Sequence, residues 1–264
     1  MSRIASTFAT LRQHRQRALI SFIEAYDPDY ATSLALLHGM AENGADIIEI
    51  GMPFTDPMAD GPTVQAAGLR GLRAGATLRG VLELVRDFRQ TNNHTPLVLM
   101  GYLNPILSYG IKDFCQNAAL AGIDGLIIVD LPPEEADLIL PHATANGLDV
   151  IRLVAPTTSD ARLRQVLSGS SGFVYYVSIT GVTGTRTASA ADLARDIPRI
   201  RAATDLPIAV GFGIRTPEQA ATAVVHADAV VVASALIDTL CKENPSAVLR
   251  DVKALSEGIK RVAA

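Results

Sequence analysis

The chain has 264 residues, with 23 Lys and Arg against 27 Asp and Glu and a formal net charge of −4. Its length is compatible with one domain over residues 1–264, because α/β barrels commonly reach about 250 residues without dividing. The negative balance excludes the broad basic field that attracts nucleic acids or anionic membranes, so an anionic ligand must be held by a local device. Hydrophobic residues make up 48% of the chain, which predicts a folded protein with little disorder.

The cysteine content and the N-terminal residues indicate the compartment. Cys115 and Cys241 are far apart and show no metal-type spacing, which favours reduced thiols. The first residues lack the apolar core of a signal peptide, and no apolar run reaches membrane-spanning length. We therefore expect a cytoplasmic protein.

Apolar runs and helical patterns alternate along the chain. Residues 4–16 predict an amphipathic helix with Ile4, Phe8 and Leu11 on one face, and we expect this helix to close the bottom of the fold. Eight apolar runs predict strands at residues 18–25, 45–51, 96–102, 125–130, 148–154, 172–178, 207–211 and 227–233. Helices are predicted at residues 29–43, 63–74, 78–90, 111–121, 134–146, 161–168, 190–203 and 217–225, and after residues 234 and 245.

This alternation predicts the fold class. Strands that are apolar throughout, each followed by a helix, require a parallel sheet that is covered on both faces. Eight such units at this length predict an α/β fold, a single (β/α)8 TIM barrel with an extra N-terminal helix and a closing C-terminal helix. An open doubly wound sheet is the alternative, and the number of units argues against it.

The second predicted strand and the loop after it carry the most unusual residues. Glu49 lies within an Ile-rich run, and a two-residue alternation places it on the same face as Ile47. The following loop is broken by prolines and delivers Asp56 and Asp60. A lone carboxylate at a strand end is more often an ion-pair partner than a catalyst. An acid at a strand end followed by a loop with two more acids indicates catalysis.

The ends of the other strands indicate what the site binds. Active sites of (β/α)8 barrels lie at the carboxyl ends of the strands, and here these ends carry mainly apolar and aromatic residues. Such a lining suits a flat hydrophobic group. The five histidines fall in helices or loops away from these ends, so no metal site is predicted.

The loops after the last three predicted strands differ from the earlier ones. Residues 179–185, 211–213 and 233–236 are rich in small residues, and the last of these ranges opens a helix. Converging backbone N–H groups and a helix N-terminus form an anion site, which predicts a phosphate cradle. The chain contains no Walker-type or G-x-G-x-x-G run, which argues against nucleotide binding.

Several of these segments together carry a family resemblance. Glu49 and residues 53–62 (Pro-Phe-Thr-Asp-Pro-Met-Ala-Asp-Gly-Pro) are followed by Met-Gly-Tyr-Leu-Asn-Pro-Ile, Val-Asp-Leu-Pro, Thr-Gly-Val-Thr-Gly and Val-Gly-Phe-Gly-Ile. In this order they closely resemble the tryptophan synthase α subunit family over the whole chain. The resemblance implies cleavage of indole-3-glycerol phosphate to indole and glyceraldehyde 3-phosphate. It also implies a β-subunit partner that carries pyridoxal phosphate, in a heterotetramer of two α and two β chains, with no cofactor on the α chain itself.

The resemblance also implies roles for individual residues. Glu49 would be the general acid/base that protonates indole C3, and Asp60 would face the indole N–H. The implied indole wall consists of Phe22, Met100, Tyr102, Val129, Leu153, Tyr175, Thr183 and Phe212. The implied phosphate site consists of Gly184, Gly213, Ala233 and Ser234, where many relatives have Gly in place of Ala233. The implied partner surface consists of Asp56, Pro57, Asn104, Asp130 and Pro132.

The physical chemistry of this cleavage agrees with the two acid roles. Breaking the carbon–carbon bond makes the electron-rich ring a leaving group, so an acid at C3 and an anion near the ring nitrogen act where charge changes. Apolar surroundings should raise the pKa of Glu49, whereas Asp60 in a polar loop should stay ionised.

Three other interpretations remain open at this point. One is a free-standing indole-3-glycerol-phosphate lyase, and another is a different barrel that isomerises or cleaves a small sugar phosphate. The second lacks support from a Schiff-base lysine, since none stands at a strand end. The third is a non-enzymatic scaffold or activator, against which the presence of both Glu49 and Asp60 argues.

Overall fold

The sheet is a closed ring of parallel strands. A computed structural model describes residues 2–177, 190–211 and 213–262. Its strands are β1 (Ala18–Glu24), β2 (Ile47–Gly51), β3 (Leu97–Gly101), β4 (Gly125–Ile128), β5 (Asp149–Val150), β6 (Arg152–Val154), β7 (Val174–Val177), β8 (Ile208–Gly211) and β9 (Ala229–Val232). Their order is β5-β4-β3-β2-β1-β9-β8-β7-β6, and all pairings are parallel.

The described residues form nine strand segments, which correspond to the eight predicted strands. β5 pairs with β4 and β6 pairs with β7, and only Ile151 separates the two segments. The Ile151 N–H donates to the Leu126 carbonyl at 3.0 Å, so the chain path stays in the sheet. β5 and β6 are therefore two parts of one strand position, and the predicted (β/α)8 barrel is confirmed. The prediction of a single domain over residues 1–264 stays a prediction.

Helices surround the ring. They are α1 (Arg3–Gln13), α2 (Tyr30–Glu42), α3 (Pro62–Arg73), α4 (Leu78–Arg89), α5 (Leu103–Tyr109), α6 (Ile111–Ala121), α7 (Leu140–Ala145), α8 (Asp160–Leu167), α9 (Ala190–Arg201), α10 (Pro217–Val224), α11 (Ser234–Lys242) and α12 (Pro245–Lys260), with a 3-10 helix at Pro133–Leu138. None of the helices in the described ranges is long and apolar enough to cross a membrane.

Two helical predictions need correction. The helix predicted at residues 134–146 is divided into the 3-10 helix and α7, because Pro141 lacks an N–H and fits only the first turn of a helix. Helix α5 was not predicted. Its first turn is held by a residue distant in sequence, since the Asp130 carboxylate accepts a hydrogen bond from the Leu103 N–H at 2.8 Å.

Helix α1 closes the lower end of the barrel, as predicted. Its side chains Ile4, Phe8 and Leu11 are buried in the cluster that fills the barrel interior. The Phe8 ring packs against Phe173 at a centroid distance of 6.0 Å. The Ser2 hydroxyl accepts a hydrogen bond from the Ala5 N–H and so caps the helix. The opposite end of the barrel is left for a ligand.

The two faces of β2 pack against different clusters. Ile47 belongs to the interior cluster, whereas Ile48 and Ile50 pack in the cluster between sheet and helices. Because side chains alternate along a strand, Glu49 points into the barrel on the same face as Ile47. The parallel register aligns Glu49 with Phe22 on β1. The alternation predicted from the sequence is confirmed.

Candidate active site

Glu49 is a buried acid in the barrel wall. Its side chain is 1% exposed, and among the described residues its Oε1 has no hydrogen-bond partner. Burial raises the pKa of Glu49 to about 8, since a carboxylate loses its hydration there. The expected rise is therefore present, and Glu49 holds a proton at neutral pH. A neutral carboxylic acid inside an apolar barrel is suited to donate a proton to a ligand above it.

Asp60 lies at the end of the loop between β2 and α3. Its N–H donates to the Pro57 carbonyl at 3.1 Å, and its own carbonyl accepts from Gln65 Nε2 at 2.9 Å. Gly61 and Pro62 follow and begin α3, where proline fits because its missing N–H has no partner in a first turn. The helix N-terminus next to Asp60 favours a negative charge.

Asp60 is more buried than a polar loop predicts. Burial raises the pKa of Asp60 to about 6, and a hydrogen bond from the Tyr102 hydroxyl opposes this rise. The pKa stays below 7, so the carboxylate is mostly ionised at neutral pH, as expected. The two acids therefore differ in charge at the same pH, which is the arrangement that acid catalysis with charge stabilisation requires.

Tyr102 connects Asp60 to the barrel. Its side chain is 2% exposed, and its hydroxyl accepts a hydrogen bond from the Ala59 N–H at 2.9 Å. Its ring packs on Phe54 at a centroid distance of 5.4 Å. Burial raises the pKa of Tyr102, and the nearby Asp60 charge adds to that rise, so the hydroxyl keeps its proton and acts as a donor.

Tyr175 is the polar group that faces Glu49. It is 6% exposed in the barrel interior, and burial, with the Glu49 charge second, raises its pKa well above its usual value. A Cβ at Gly211 on the neighbouring strand β8 would lie 2.7 Å from Tyr175 Cζ. Gly211 thus provides the space that the tyrosine ring occupies.

A cavity of about 270 Å³ brings most of the predicted residues together at the carboxyl ends of the strands. Its wall is mainly apolar with a few polar groups, which is typical of a small-molecule site. The predicted residues that line it are Asp60, Met100, Val129, Leu153, Tyr175, Gly213, Ala233 and Ser234. Phe22 and Glu49 do not line this cavity, and Phe22 lies in a buried cluster against which Met100 and Ala233 pack. Tyr102 lines an adjacent smaller cavity together with Asp60.

The predicted phosphate residues form one side of this cavity. Gly213 has a φ of 76°, a conformation that favours glycine. Ser234 is the first residue of α11, and the first N–H groups of a helix have no acceptor within the helix. Ala233 has a φ of −121°, which any residue adopts, so the backbone accommodates alanine at this position. Thr183, Gly184 and Phe212 lie outside the described residues.

The predicted partner residues lie on the same side of the barrel as the cavity. Asp56 is exposed and accepts a hydrogen bond from the Thr55 hydroxyl at 2.6 Å. Pro57 lines the smaller cavity, while Asn104 and Pro132 are exposed. Asp130 also has a structural role, because its carboxylate caps α5 by accepting from the Leu103 N–H.

Several site residues were not predicted. Val64 from α3, Ile214 and Val231 complete the apolar wall, and the sequence gives no signal that separates them from ordinary core residues. Glu24, the last residue of β1, lines the smaller cavity and is not among the predicted site residues. Met58 in the loop is 76% exposed, and Leu107 on α5 is 49% exposed.

The fold and the site define a class. A parallel (β/α)8 barrel with a neutral acid in its wall, and with an ionised loop acid and a helix N-terminus at a cavity above the strand ends, is a TIM barrel with a candidate acid–base site. Within the described ranges, no group of three His, Cys, Asp or Glu is placed to hold a metal.

Comparison with known proteins identifies the family. A family model described as tryptophan synthase alpha chain matches residues 8–264. The tryptophan synthase alpha chain of Acidiphilium cryptum is 66% identical over 270 positions, covering 98% of each chain, and that of Granulibacter bethesdensis is 64% identical, covering 100% of this chain and 95% of the relative. The crystal structure of the Legionella pneumophila alpha subunit superposes with a TM-score of 0.92 at 40% identity, covering 98% of each chain. The chain belongs to the tryptophan synthase alpha chain family, as the sequence motifs predicted.

Proposed function

We propose that this chain is a carbon–carbon lyase that cleaves indole-3-glycerol phosphate to indole and glyceraldehyde 3-phosphate. One observation carries the proposal: the mostly ionised Asp60, Tyr175 and Ser234, the first residue of α11, line one apolar cavity. The neutral Glu49 lies beside Tyr175 in the barrel interior. A flat aromatic ring suits the apolar wall, and a phosphate suits the helix N-terminus. The family membership supports the same substrate.

The two acids divide the chemistry. Glu49 donates its proton to indole C3, which removes the aromaticity of the ring and places positive charge on the ring nitrogen. The Asp60 carboxylate stabilises that charge at the N–H. The bond from C3 to the glycerol carbon then breaks, and its electron pair restores the ring. The hydroxyl on that carbon loses a proton to the Glu49 carboxylate and becomes the aldehyde carbonyl, so Glu49 ends the cycle protonated.

The remaining site residues would bind and orient. Met100, Val129 and Leu153 would wall the indole with Phe22, Tyr102, Tyr175, Thr183 and Phe212. Backbone groups at Gly184, Gly213, Ala233 and Ser234 would hold the phosphate. Fixing both ends of the substrate places C3 over the acid, which lowers the entropy cost of the reaction.

The chain would work with a β subunit that carries pyridoxal phosphate, and it would bind no cofactor of its own. The exposed Met58 and Leu107 support such a partner, together with the exposed Asp56, Asn104 and Asp130. The structure of Mycobacterium tuberculosis tryptophan synthase contains a chain that is 36% identical to this one. We propose two α and two β chains per complex and a cytoplasmic location, which the free Cys115 and Cys241 support.

The decisive experiment is an indole-release assay on the purified chain. Indole should form slowly from indole-3-glycerol phosphate with the chain alone and faster after addition of the β subunit of the same organism. Absence of indole under both conditions would overturn the lyase proposal. Equal rates with and without the β subunit would instead indicate a free-standing lyase and would overturn the partner proposal.

A further inference from the structure

Glu24 is a third acid at the site, and the mechanism above does not use it. It is the last residue of β1 and lies two positions after Phe22, so both side chains point into the barrel. Glu24 is buried, with 6% of its surface exposed. It lines the smaller cavity behind Asp60, together with Tyr102 and Gln65. Glu24 is therefore adjacent to the part of the site that carries the ionised acid.

Gly51 makes room for this carboxyl, and Gly68 marks the direction in which it points. A Cβ at Gly51, which is aligned with Glu24 in the β1–β2 register, would lie 2.8 Å from Glu24 Cδ and 2.7 Å from Phe22 Cζ. A Cβ at Gly68 on α3 would lie 3.7 Å from Glu24 Oε1. The Glu24 side chain thus extends over β2 toward α3, the helix that begins directly after Asp60. This recess fixes the direction of the side chain.

The charged groups around Glu24 are mostly acidic. Asp60 comes from the loop after β2, and Asp27 comes from the loop after β1. Arg70 on α3 is held by Asp27 in a bidentate ion pair, with 2.7 Å to Oδ1 and 2.8 Å to Oδ2. Burial raises the pKa of Glu24 well above its usual value, and the charges of Asp60 and Asp27 add to the rise. These surroundings favour the protonated form of Glu24 beside an ionised Asp60.

We propose that Glu24 is a positioning residue for Asp60: its carboxyl group presents an O–H to the Asp60 carboxylate across the small cavity that both residues line. The inference rests on the proposed role of Asp60 at the indole N–H. A donor beside Asp60 favours the ionised form of that acid, which is the form that stabilises positive charge on the ring. An ionised Glu24 at the same place would do the opposite, because two adjacent carboxylates resist a second negative charge.

The test compares Glu24→Gln and Glu24→Met with the wild-type chain, each assayed in the intact αβ complex. Glutamine keeps a donor of similar shape, whereas methionine keeps the length and removes the donor. In the wild-type protein kcat/KM should rise with pH as Asp60 ionises, near its pKa of about 6. In Glu24→Met this acid limb should move up by about one pH unit, with the loss mainly in kcat. Glu24→Gln should restore the limb to its wild-type position. Glu42→Met, an exposed change on α2, is the matched control.

Two results would overturn the proposal. An acid limb that stays in place in both variants would make Glu24 a structural residue only. A limb that moves to lower pH in Glu24→Gln would mean that Glu24 is charged and repels Asp60. If Asp60→Asn retains full activity, the proposed function loses its second acid and this inference falls with it. If Asp60→Asn is inactive while Glu24→Met behaves as wild type, only this inference fails.

A second measurement does not depend on activity or on the stability of Glu24→Met. Carbon-13 NMR of the complex labelled at glutamate carboxyls should show a signal that stays in the protonated range at pH 7 and is absent in Glu24→Gln. The corresponding Glu49 signal should persist in Glu24→Gln and be absent in Glu49→Gln. A Glu24 signal that titrates near the ordinary value of about 4.3 would contradict the proposal.

Discussion

The wall of the barrel and the loop after β2 hold two acids of the same site in different ways. Glu49 is fixed by strand pairing on both sides, to β1 and to β3, and its apolar surroundings keep it neutral. Asp60 is held by a few hydrogen bonds and stays mostly ionised beside a helix N-terminus. A barrel thus fixes the position and protonation of one acid, while a loop sets those of the other. The two charge states arise from location and not from residue type.

The largest expected effect comes from the wall. Glu49→Gln keeps the shape of the side chain and removes its proton donor, so we expect kcat to fall about 10³-fold with substrate binding largely retained. Because the proton must be present, wild-type kcat/KM should also decline as pH rises through about 8. Indole release and a binding titration measure both quantities. Glu83→Gln, an exposed change on α4, serves as the control, and near-normal turnover in Glu49→Gln would remove Glu49 from its role.

Stability should also separate wall and loop. Ile47→Ala empties a fully buried position in the barrel interior and should lower the free energy of unfolding by about 2–5 kcal/mol. Met58→Ala changes an exposed loop residue and should alter it by no more than about 0.5 kcal/mol. Urea unfolding of the isolated chain compares the two variants. A large loss in Met58→Ala would show that the loop packs more tightly than its exposure indicates.

The two acids should also differ in how stability depends on pH. The pKa of Glu49 is raised from 4.5 to about 8, so between these values the folded chain binds more protons than the unfolded chain. As pH rises through this window, the free energy of unfolding of the wild type, relative to that of Glu49→Gln, should therefore fall by up to about 1.4 kcal/mol per pH unit. The window of Asp60 ends near 6, so the difference in stability between wild type and Asp60→Asn should not change with pH above 7. Parallel curves for wild type and Glu49→Gln would mean that Glu49 is ionised in the folded state.

The smallest effect concerns the connection between the two regions. Tyr102→Phe removes the hydroxyl that donates to Asp60 and accepts from the Ala59 N–H. The pKa of Asp60 should rise, which moves the acid limb of kcat/KM up by about one pH unit and lowers activity about threefold near pH 6.5. Tyr109→Phe, which removes a hydroxyl bonded to Asn117 on the surface helices, is the matched control. An unchanged limb in Tyr102→Phe would show that Asp60 is set by its loop alone.

The parts that the sequence predicted are those with local causes. Strand and helix positions follow from apolar periodicity, and the inward direction of Glu49 follows from the two-residue alternation around Ile47. The raised pKa of Glu49 follows from its apolar neighbours in the same strand. The motifs around Asp60 identified the family, and this was confirmed by the comparisons.

The parts that escaped prediction depend on contacts between distant segments. Helix α5 has no capping signal of its own because Asp130 supplies the cap from the end of the next strand position. The rise in the pKa of Asp60 comes from tertiary burial that loop composition does not reveal. Glu24 gains its setting only when Gly51 and Gly68 are brought beside it. A single sequence shows each of these residues but not their proximity.

The cap of α5 also has a mechanical consequence. The Asp130 carboxylate accepts a hydrogen bond from the Leu103 N–H. The preceding residue is Tyr102, whose hydroxyl is hydrogen-bonded to the loop at Ala59 and Asp60. Asp130 is thus linked to Asp60 through its hydrogen bond to Leu103, the peptide unit between Leu103 and Tyr102, and the Tyr102 side chain. A docking protein that pulled the Asp130 carboxylate away would loosen the first turn of α5 and, with it, the tether of the acid loop.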